Sequence, residues 1–266
     1  MIYADNAATT ALDIDAFEAM KPYLLKEYGN ASQPYSFARS AKKALAAARK
    51  TIADCIGAQP EEIIFTSGGT ESDNWAIKGT LQYGDGRAIL TSQIEHHAIL
   101  NACASVERLG YPVVYLSVNQ KGVLTPATLN KFITGNTKLV SVMLVNNEIG
   151  TIEPIKELAE IAHTHGAFFH TDAVQAVGHI PVNVKGLGVD MLSASAHKFN
   201  GPKGIGFLYI RKGTDTHSLV DGGAQEFGMR AGTENIAAIV AMAEALRKNC
   251  AHMDETESRL CKMENS

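Results

Sequence analysis

The sequence predicts an α/β fold, a mostly parallel central sheet flanked by helices, and three observations carry that prediction. Short runs rich in β-branched residues alternate with alanine-rich stretches of helical period along the 266 residues. One run, KLVSVMLVNNE at 138–148, is apolar almost throughout, as a strand covered by helices on both faces has to be. The runs are joined by helical crossovers, the connection that parallel strands require.

In chain order, residues 1–14 read as an N-terminal segment, and GNASQPYSFARSAKKALAAARK (29–50) carries a helix. EEIIFTS (61–67) is a strand and ESDNWAIKG (71–79) a helix. RAILTSQ (87–93) is a strand, and HHAILNACASVERLG (96–110) a helix that stops at Gly110. YPVVYLSV (111–118) and 138–148 are strands. PIKELAEIAHTHG (154–166) is a helix with Ile155, Leu158, Ile161 and Ala162 on one face and Gly166 as its stop. AFFHTDA (167–173) and VDMLSAS (189–195) are strands, and GIGFLYIRKG (204–213) is a third, antiparallel or at an edge. A long helix with Ile236, Ile239, Val240, Ala243 and Leu246 on one side follows, then a polar tail. The organisation expected is a segment 1–14, a large domain 15–245, and a helix with polar tail 246–266.

Composition narrows the function. With 45% hydrophobic and 20% charged residues and a net charge of -4, the chain has no basic excess of the kind a nucleic-acid binder shows. Its start lacks a charged n-region and an apolar h-region, and no later apolar run reaches the roughly 18 to 20 residues that span a bilayer, so no membrane contact and a cytoplasmic location are expected. Cys55, Cys103, Cys250 and Cys261 are scattered and form no CxxC pair; Cys55 and Cys103 read as small core residues on helix faces.

In an open parallel sheet, ligands bind beyond the carboxyl ends of the strands. Five strand ends each deliver a polar group there. After IIFTS comes GGTES, where Gly69 gives the backbone freedom and Thr70 opens a helix whose free amides suit an anion, most often phosphate. The other four deliver His96, Asn147, Asp172 with Gln175, and, after SAS, Lys198 with Ser195 and His197. The loop has neither a P-loop lysine nor GxGxxG spacing, so the phosphate is not expected to be a nucleotide's. Adjacent histidines, His96 and His97, diverge by about 100° on a helix and no HExxH occurs, so no metal is expected. An amine, a carboxylate, an imidazole, amides and an anion cradle together are what pyridoxal 5'-phosphate (PLP) needs: a covalent partner for its aldehyde, an anion beside its pyridine nitrogen, a flat group against the ring, and donors for its oxygens.

SASAHKFNGPKGIG, HTDAVQAVG, LVNNEIGTIEP, FTSGGTESDN, EHHAIL, RAGTEN and YADNAATT together resemble the cysteine desulfurases, a branch of the class V aminotransferase group of fold type I PLP enzymes. The resemblance runs from residue 2 to about 245. It implies a large PLP-binding domain over 15–245, with Lys198 as the covalent anchor and mover of the substrate α-proton, and His96 stacked on the ring as an acid or base. Asp172 would face the pyridine nitrogen, Gln175 the phenolate oxygen, and Asn147 the phenolate and substrate carboxylate. Thr70, Ser195 and His197 would hold the phosphate, with Gly69 in the same cradle. Thr233 of RAGTEN would reach the phosphate of a neighbouring subunit, which implies a homodimer.

The implied reaction takes sulfur from L-cysteine, leaving L-alanine and a persulfide for iron-sulfur cluster assembly or other sulfur transfer, with a sulfur-acceptor or scaffold protein as partner. The family's smaller C-terminal domain, with its persulfide-forming cysteine loop and a substrate-binding arginine, is matched by no stretch of this sequence, and Cys250 and Cys261 differ from that cysteine in context and position. That domain is therefore expected to be largely absent. Two other readings stay open: another PLP-dependent lyase or aminotransferase, which needs only Lys198 and Asp172, and a catalytically inactive PLP-binding protein.

Overall fold

The computed structural model describes residues 2–81 and 86–264. Its strands are β1 (Ile63–Thr66), β2 (Ala88–Ser92), β3 (Val113–Leu116), β4 (Thr137–Ser141), β5 (Phe168–Asp172), β6 (Met191–Ser195) and β7 (Gly206–Ile210). Among the described residues they form one sheet in the order β1-β7-β6-β5-β4-β2-β3. The β3, β2, β4, β5 and β6 strands pair in parallel, and β7 runs antiparallel between β6 and β1. β1 therefore points the same way as the parallel strands, and its carboxyl end joins theirs on one edge of the sheet.

Side chains alternate faces along a strand, and the core divides accordingly. Ile64, Ile89, Leu139, Met191 and Leu208 face α3 (Gly69–Gly79) and α4 (His97–Glu107), whose Trp75, Ile77, Ile99 and Val106 complete that layer. Their neighbours Phe65, Leu90, Val140, Phe169, Leu192 and Phe207 face the other way, against α2 (Arg39–Ile56), α5 (Pro126–Phe132), α6 (Ile155–Thr164), α7 (Val184–Leu187) and α8 (Ile236–Ala251). Each fully buried aliphatic or aromatic side chain stabilises by about 1.5–3 kcal/mol, and both faces being dry explains why these strands read as continuous apolar runs. α1 (Ile14–Leu25), N-capped by Asp13 through Asp15 N–H and Ala16 N–H, packs with α2 along α8. Lys248 ties α8 to α1 through Asp13 at 2.7 Å and Asp15 at 2.6 Å.

Three readings of the sequence change in detail. The 138–148 run is a strand only to Ser141. Beyond it Val142 and Leu144 still donate to His170 and Asp172 of β5, but on the other side Met143 N–H meets the Glu95 carboxylate instead of a strand carbonyl. A side chain thus ends the ladder on that flank and frees Asn146 and Asn147 to turn. β7 is antiparallel as expected and lies inside the sheet, with β1 as the edge strand on that side. The stretch after Ala251 expected as a polar tail is helical, α9 (Met253–Glu264), and its described side chains, Met253 to Met263, include no buried one. Gly110 and Gly166 close α4 and α6 with φ of 90° and 73°, conformations that cost glycine least.

Candidate active site

A cavity of ≈ 540 Å³ opens at the carboxyl edge of the sheet, between β1 and β2. Gly69, Thr70, His96, Asn147, Asp172, Gln175, Ser195, His197 and Lys198 all line it. Thr233 stands apart, exposed at a neighbouring cavity beside Ser67 and Gly204.

The candidate anion cradle is the β1–α3 turn. Gly68, the N-cap of α3, has φ 148° and supplies no side-chain cap, so the first amides of the helix have no intrahelical acceptor, and Gly69 and Thr70 line the cavity. An added Cβ on Gly68 would approach Ser195 Oγ to 3.6 Å, which places the serine hydroxyl over the same turn. Glu71 holds the turn from beneath, accepting from Ser67 N–H at 2.7 Å and from Arg230 Nε at 2.9 Å. That ion pair keeps the Glu71 carboxyl below its ordinary value although burial pushes it up.

Lys198 follows β6 on a short 3₁₀ turn and is half-buried. Its Nζ donates to the carbonyls of Ala7 and, at 3.0 Å, Ala8. Burial pulls its ammonium below the usual range, partly offset by Asp172 and Asp5. Gln175 Nε2 donates to the Ala7 carbonyl at 2.9 Å, and His197 Nδ1 lies 3.1 Å from Thr9 Oγ1. The N-terminal segment is thus stitched across the lysine, and Thr10 completes the seam by bonding the His197 carbonyl at 2.9 Å and accepting from Asn200 N–H. His197 is held low by burial and by Lys198 and Lys203.

Asp172 ends β5 almost wholly buried, accepting from Val174 N–H at 2.9 Å. Burial raises its carboxyl, while the Val174 amide, His96 and Lys198 pull it back. His96 N-caps α4: its Nδ1 accepts from Ala98 N–H at 3.1 Å, which leaves Nε2 as the exchangeable nitrogen of the ring. Asn147 donates to Glu148 Oε1 at 2.7 Å, while buried Asn146 holds the loop by donating to the Ile94 carbonyl. His97 is exposed and does not line the cavity.

The sequence reading did not assign Ala7, Ala8 and Thr9, the Glu71–Arg230 clamp, Lys203 or Asp73. All of these lie in YADNAATT, FTSGGTESDN, RAGTEN or SASAHKFNGPKGIG, and their partners lie far along the chain, so no local pattern marks them. Cys103 is buried as expected and its thiol is pushed up to about 12 by burial. Cys55 packs half-buried against the core beside Cys250, and Cys261 is exposed on α9. Among the described residues no cysteine lines the cavity.

Glu95 supports the wall at Met143, and burial raises its carboxyl to about 8. An unfolded glutamate ionises near ~4.3, so between those values the folded chain holds a proton the unfolded chain has released. Stability therefore falls as pH rises across that window, by up to about 1.4 kcal/mol per unit, and Glu153, raised by burial to about 7, adds in the same direction. Glu95→Gln is expected to flatten the slope in urea melts run between about pH 5 and 8; an unchanged slope would locate the retained proton elsewhere.

The donor set fits PLP better than a metal. Asp73, His96 and Asp172 bring donor atoms within 4.8 Å of one another, but the Lys198 ammonium attracts Asp172, and burial holds both carboxyls toward protonation. An anion cradle without a cap, a lysine with depressed basicity and a buried carboxylate across one cavity match a phosphorylated aldehyde with a ring nitrogen.

A family model, aminotransferase class-V, matches residues 2–264. A cysteine desulfurase IscS from Dictyoglomus turgidum is 52% identical over 98% of this chain and 67% of its own length, and one from Methanosarcina thermophila 50% identical over 98% and 65%. The chain thus spans about two thirds of the length of these relatives. Among solved structures, a NifS-like protein superposes with a TM-score of 0.97 at 38% identity, over 99% of this chain and 73% of that one. SspA in complex with cysteine superposes with a TM-score of 0.89 at 39% identity, over 92% and 72%.

Proposed function

The chain belongs to the cysteine desulfurase branch of the class-V aminotransferases, and from that footing we propose that it is the PLP-binding body of an enzyme that takes sulfur from L-cysteine and releases L-alanine. The observation that carries the reading is Lys198, half-buried and shifted toward its neutral form, in one cavity with a buried Asp172 and an uncapped helix N-terminus. The cysteine bound to the SspA structure supports the substrate class.

Bound PLP supplies an electron sink for the pair left when the substrate Cα–H bond breaks. Lys198 Nζ would anchor the cofactor covalently and then move the proton at the substrate Cα, for which its lowered basicity suits it. To do so it leaves the Ala7 and Ala8 carbonyls, so the N-terminal segment is part of the machinery. Asp172 would hold a negative charge against the ring nitrogen, a charge-assisted contact contributing roughly 1.5–3 kcal/mol. Gln175 and Asn147 would bond the phenolate side, and His96 would lie against the ring with its Nε2–H free to donate. The Gly69 and Thr70 amides, Ser195 and His197 would take the phosphate, and Thr233, exposed beside the cradle, would serve the phosphate of a second copy in a homodimer. Since no cysteine lines the cavity, the thiolate that receives the sulfur comes to it from beyond that lining, on another segment or on an acceptor protein.

No helix among the described residues is long and apolar enough to cross a membrane. The decisive assay supplies L-cysteine, saturating PLP and an added thiol reductant. Alanine with sulfide is the expected product pair; pyruvate would identify a lyase, and a keto acid an aminotransferase.

Gly206 tests the cradle from behind. A Cβ there would lie 2.4 Å from the Ala194 carbonyl and 2.8 Å from Gly68 Cα, both backbone atoms that cannot turn aside. Gly206→Ala is expected to cost about 1–3 kcal/mol through overpacking and to weaken PLP binding about tenfold by displacing Gly68, read as a shifted half-saturation in a fluorescence titration. Unchanged affinity would separate this turn from the phosphate.

A further inference from the structure

Asp73 lies in α3 with 1% of its surface exposed, lines the cavity, and has no hydrogen-bond partner for its Oδ1. Its carboxylate, that of Asp172 and the His96 ring bring donor atoms within 4.8 Å of one another. Among the described residues its Oδ1 has one basic group at ion-pair distance, His170, whose Nε2 lies 3.8 Å away, and that imidazole is fully buried between two serines, with Nδ1 2.9 Å from Ser141 Oγ and Nε2 2.9 Å from Ser193 Oγ. Burial drives the His170 basicity down to about 3, so it stays neutral.

Two carboxylates this close, both out of water, cannot both carry a charge at neutral pH. Their surroundings decide which one ionises. Asp172 accepts from Val174 N–H and is attracted by His96 and Lys198. Burial and the charge of Asp172 push the Asp73 carboxyl up, with Ser193 as its one opposing donor. The groups bearing on it are thus Asp172 and His170 from β5, Glu95 and His96 from the turn before α4, and Lys198 beyond β6 through Asp172.

We propose that Asp73 is a positioning residue that keeps a proton and directs it to Asp172, so that the pair presents one fixed negative charge to the cavity. The role rests on the assignment of Asp172 to the cofactor's ring nitrogen made above. A protonated carboxyl here does for Asp172 what an amide N–H would do: it stabilises the charge without adding a second one. The buried Oδ1 without a hydrogen-bond partner and its place beside Asp172 are the observations that favour this arrangement.

Two measurements test it. In the infrared, the cofactor-free wild-type chain minus Asp73→Asn is expected to show one protonated-carboxyl C=O band at neutral pH; a difference in the carboxylate bands instead would overturn the proposal. With PLP bound, the pH midpoint of its visible absorbance change is expected to stay within about 0.3 units of wild type in Asp73→Asn, which keeps a neutral donor, and to move by about one unit in Asp73→Leu, which does not. Equal shifts in both variants would make the charge of Asp73 the active feature, and no shift in either would make the side chain filler; both outcomes sink the idea. If Asp73→Leu does not fold, the infrared band and the Asn midpoint decide alone. If no variant, wild type included, binds PLP, it is the reading of the cavity that fails, and the infrared result still judges the proton.

Discussion

Lys198→Ala is expected to abolish alanine formation from L-cysteine, by at least the roughly 10²- to 10⁴-fold that positioned proton transfer contributes, and to leave PLP bound only reversibly. Gel filtration should strip the cofactor from this variant and not from the wild type, and borohydride should fix none to it. Lys198→Arg separates the two tasks of the side chain. A guanidinium can still donate to the Ala7 and Ala8 carbonyls that Lys198 Nζ holds, but it does not lose its proton in a protein. The arginine variant should therefore keep the N-terminal segment protected from protease while making no product. A borohydride-reducible cofactor link surviving in Lys198→Ala would transfer the anchor to another lysine, with Lys203 at the cavity rim as the nearest alternative.

Arg49→Ala is expected to cost about 3–5 kcal/mol, because it leaves a buried carboxylate without its partner. For a chain of this size that lowers the thermal midpoint by roughly 6 to 20 °C. The guanidinium forms a two-pronged pair with Glu226, Nη1 to Oε2 at 2.8 Å and Nη2 to Oε1 at 2.7 Å, with both side chains nearly out of solvent. The pair also does the work of a missing strand. β1 is the sheet edge, and its outward groups find partners here: the Ile63 carbonyl accepts from Arg49, and Phe65 N–H donates to Glu226 at 2.8 Å. The guanidinium lies 4.5 Å from the Phe65 ring centroid and 4.8 Å from that of Phe227. Glu226 and Phe227 take left-handed φ of 46° and 61°, a strain of order 1–3 kcal/mol each that only a strongly held site sustains. Replacing both charges by apolar residues of similar volume should recover part of the loss, but not all, since Phe65 N–H would remain unpaired. A circular-dichroism melt of Arg49→Ala within about 2 °C of wild type would show that water reaches this pair, in conflict with its burial.

Much of the site was legible because chemistry at an open parallel sheet collects where strands end. Gly69, His96, Asp172 and Lys198 each follow a strand the sequence marks by its apolar run, so naming the strands named the residues. The sheet order could not be read in the same way. β1 lies between no parallel neighbours, yet its turn reaches the cavity because β7 passes antiparallel between β1 and β6, a placement that GIGFLYIRKG satisfies equally well at an edge. Asp73 escaped notice for a related reason: a helix position is buried or exposed according to what packs on it, and ESDNWAIKG offers no local sign of which.

The sequence by itself determined the class of fold, the strand ends that carry polar groups, the cradle glycines and the lysine, because hydrophobic period, turn residues and side-chain chemistry are local properties of the chain. Only the tertiary structure decided the partners. The carbonyls of Ala7 and Ala8 over Lys198, the Glu95 carboxylate that ends β4, the Arg49–Glu226 clasp on the edge strand and the proximity of Asp73 to Asp172 join residues far apart in sequence. Such pairings depend on which surfaces are brought together and dried, and burial is what turns an ordinary carboxyl or amine into one with a shifted proton affinity.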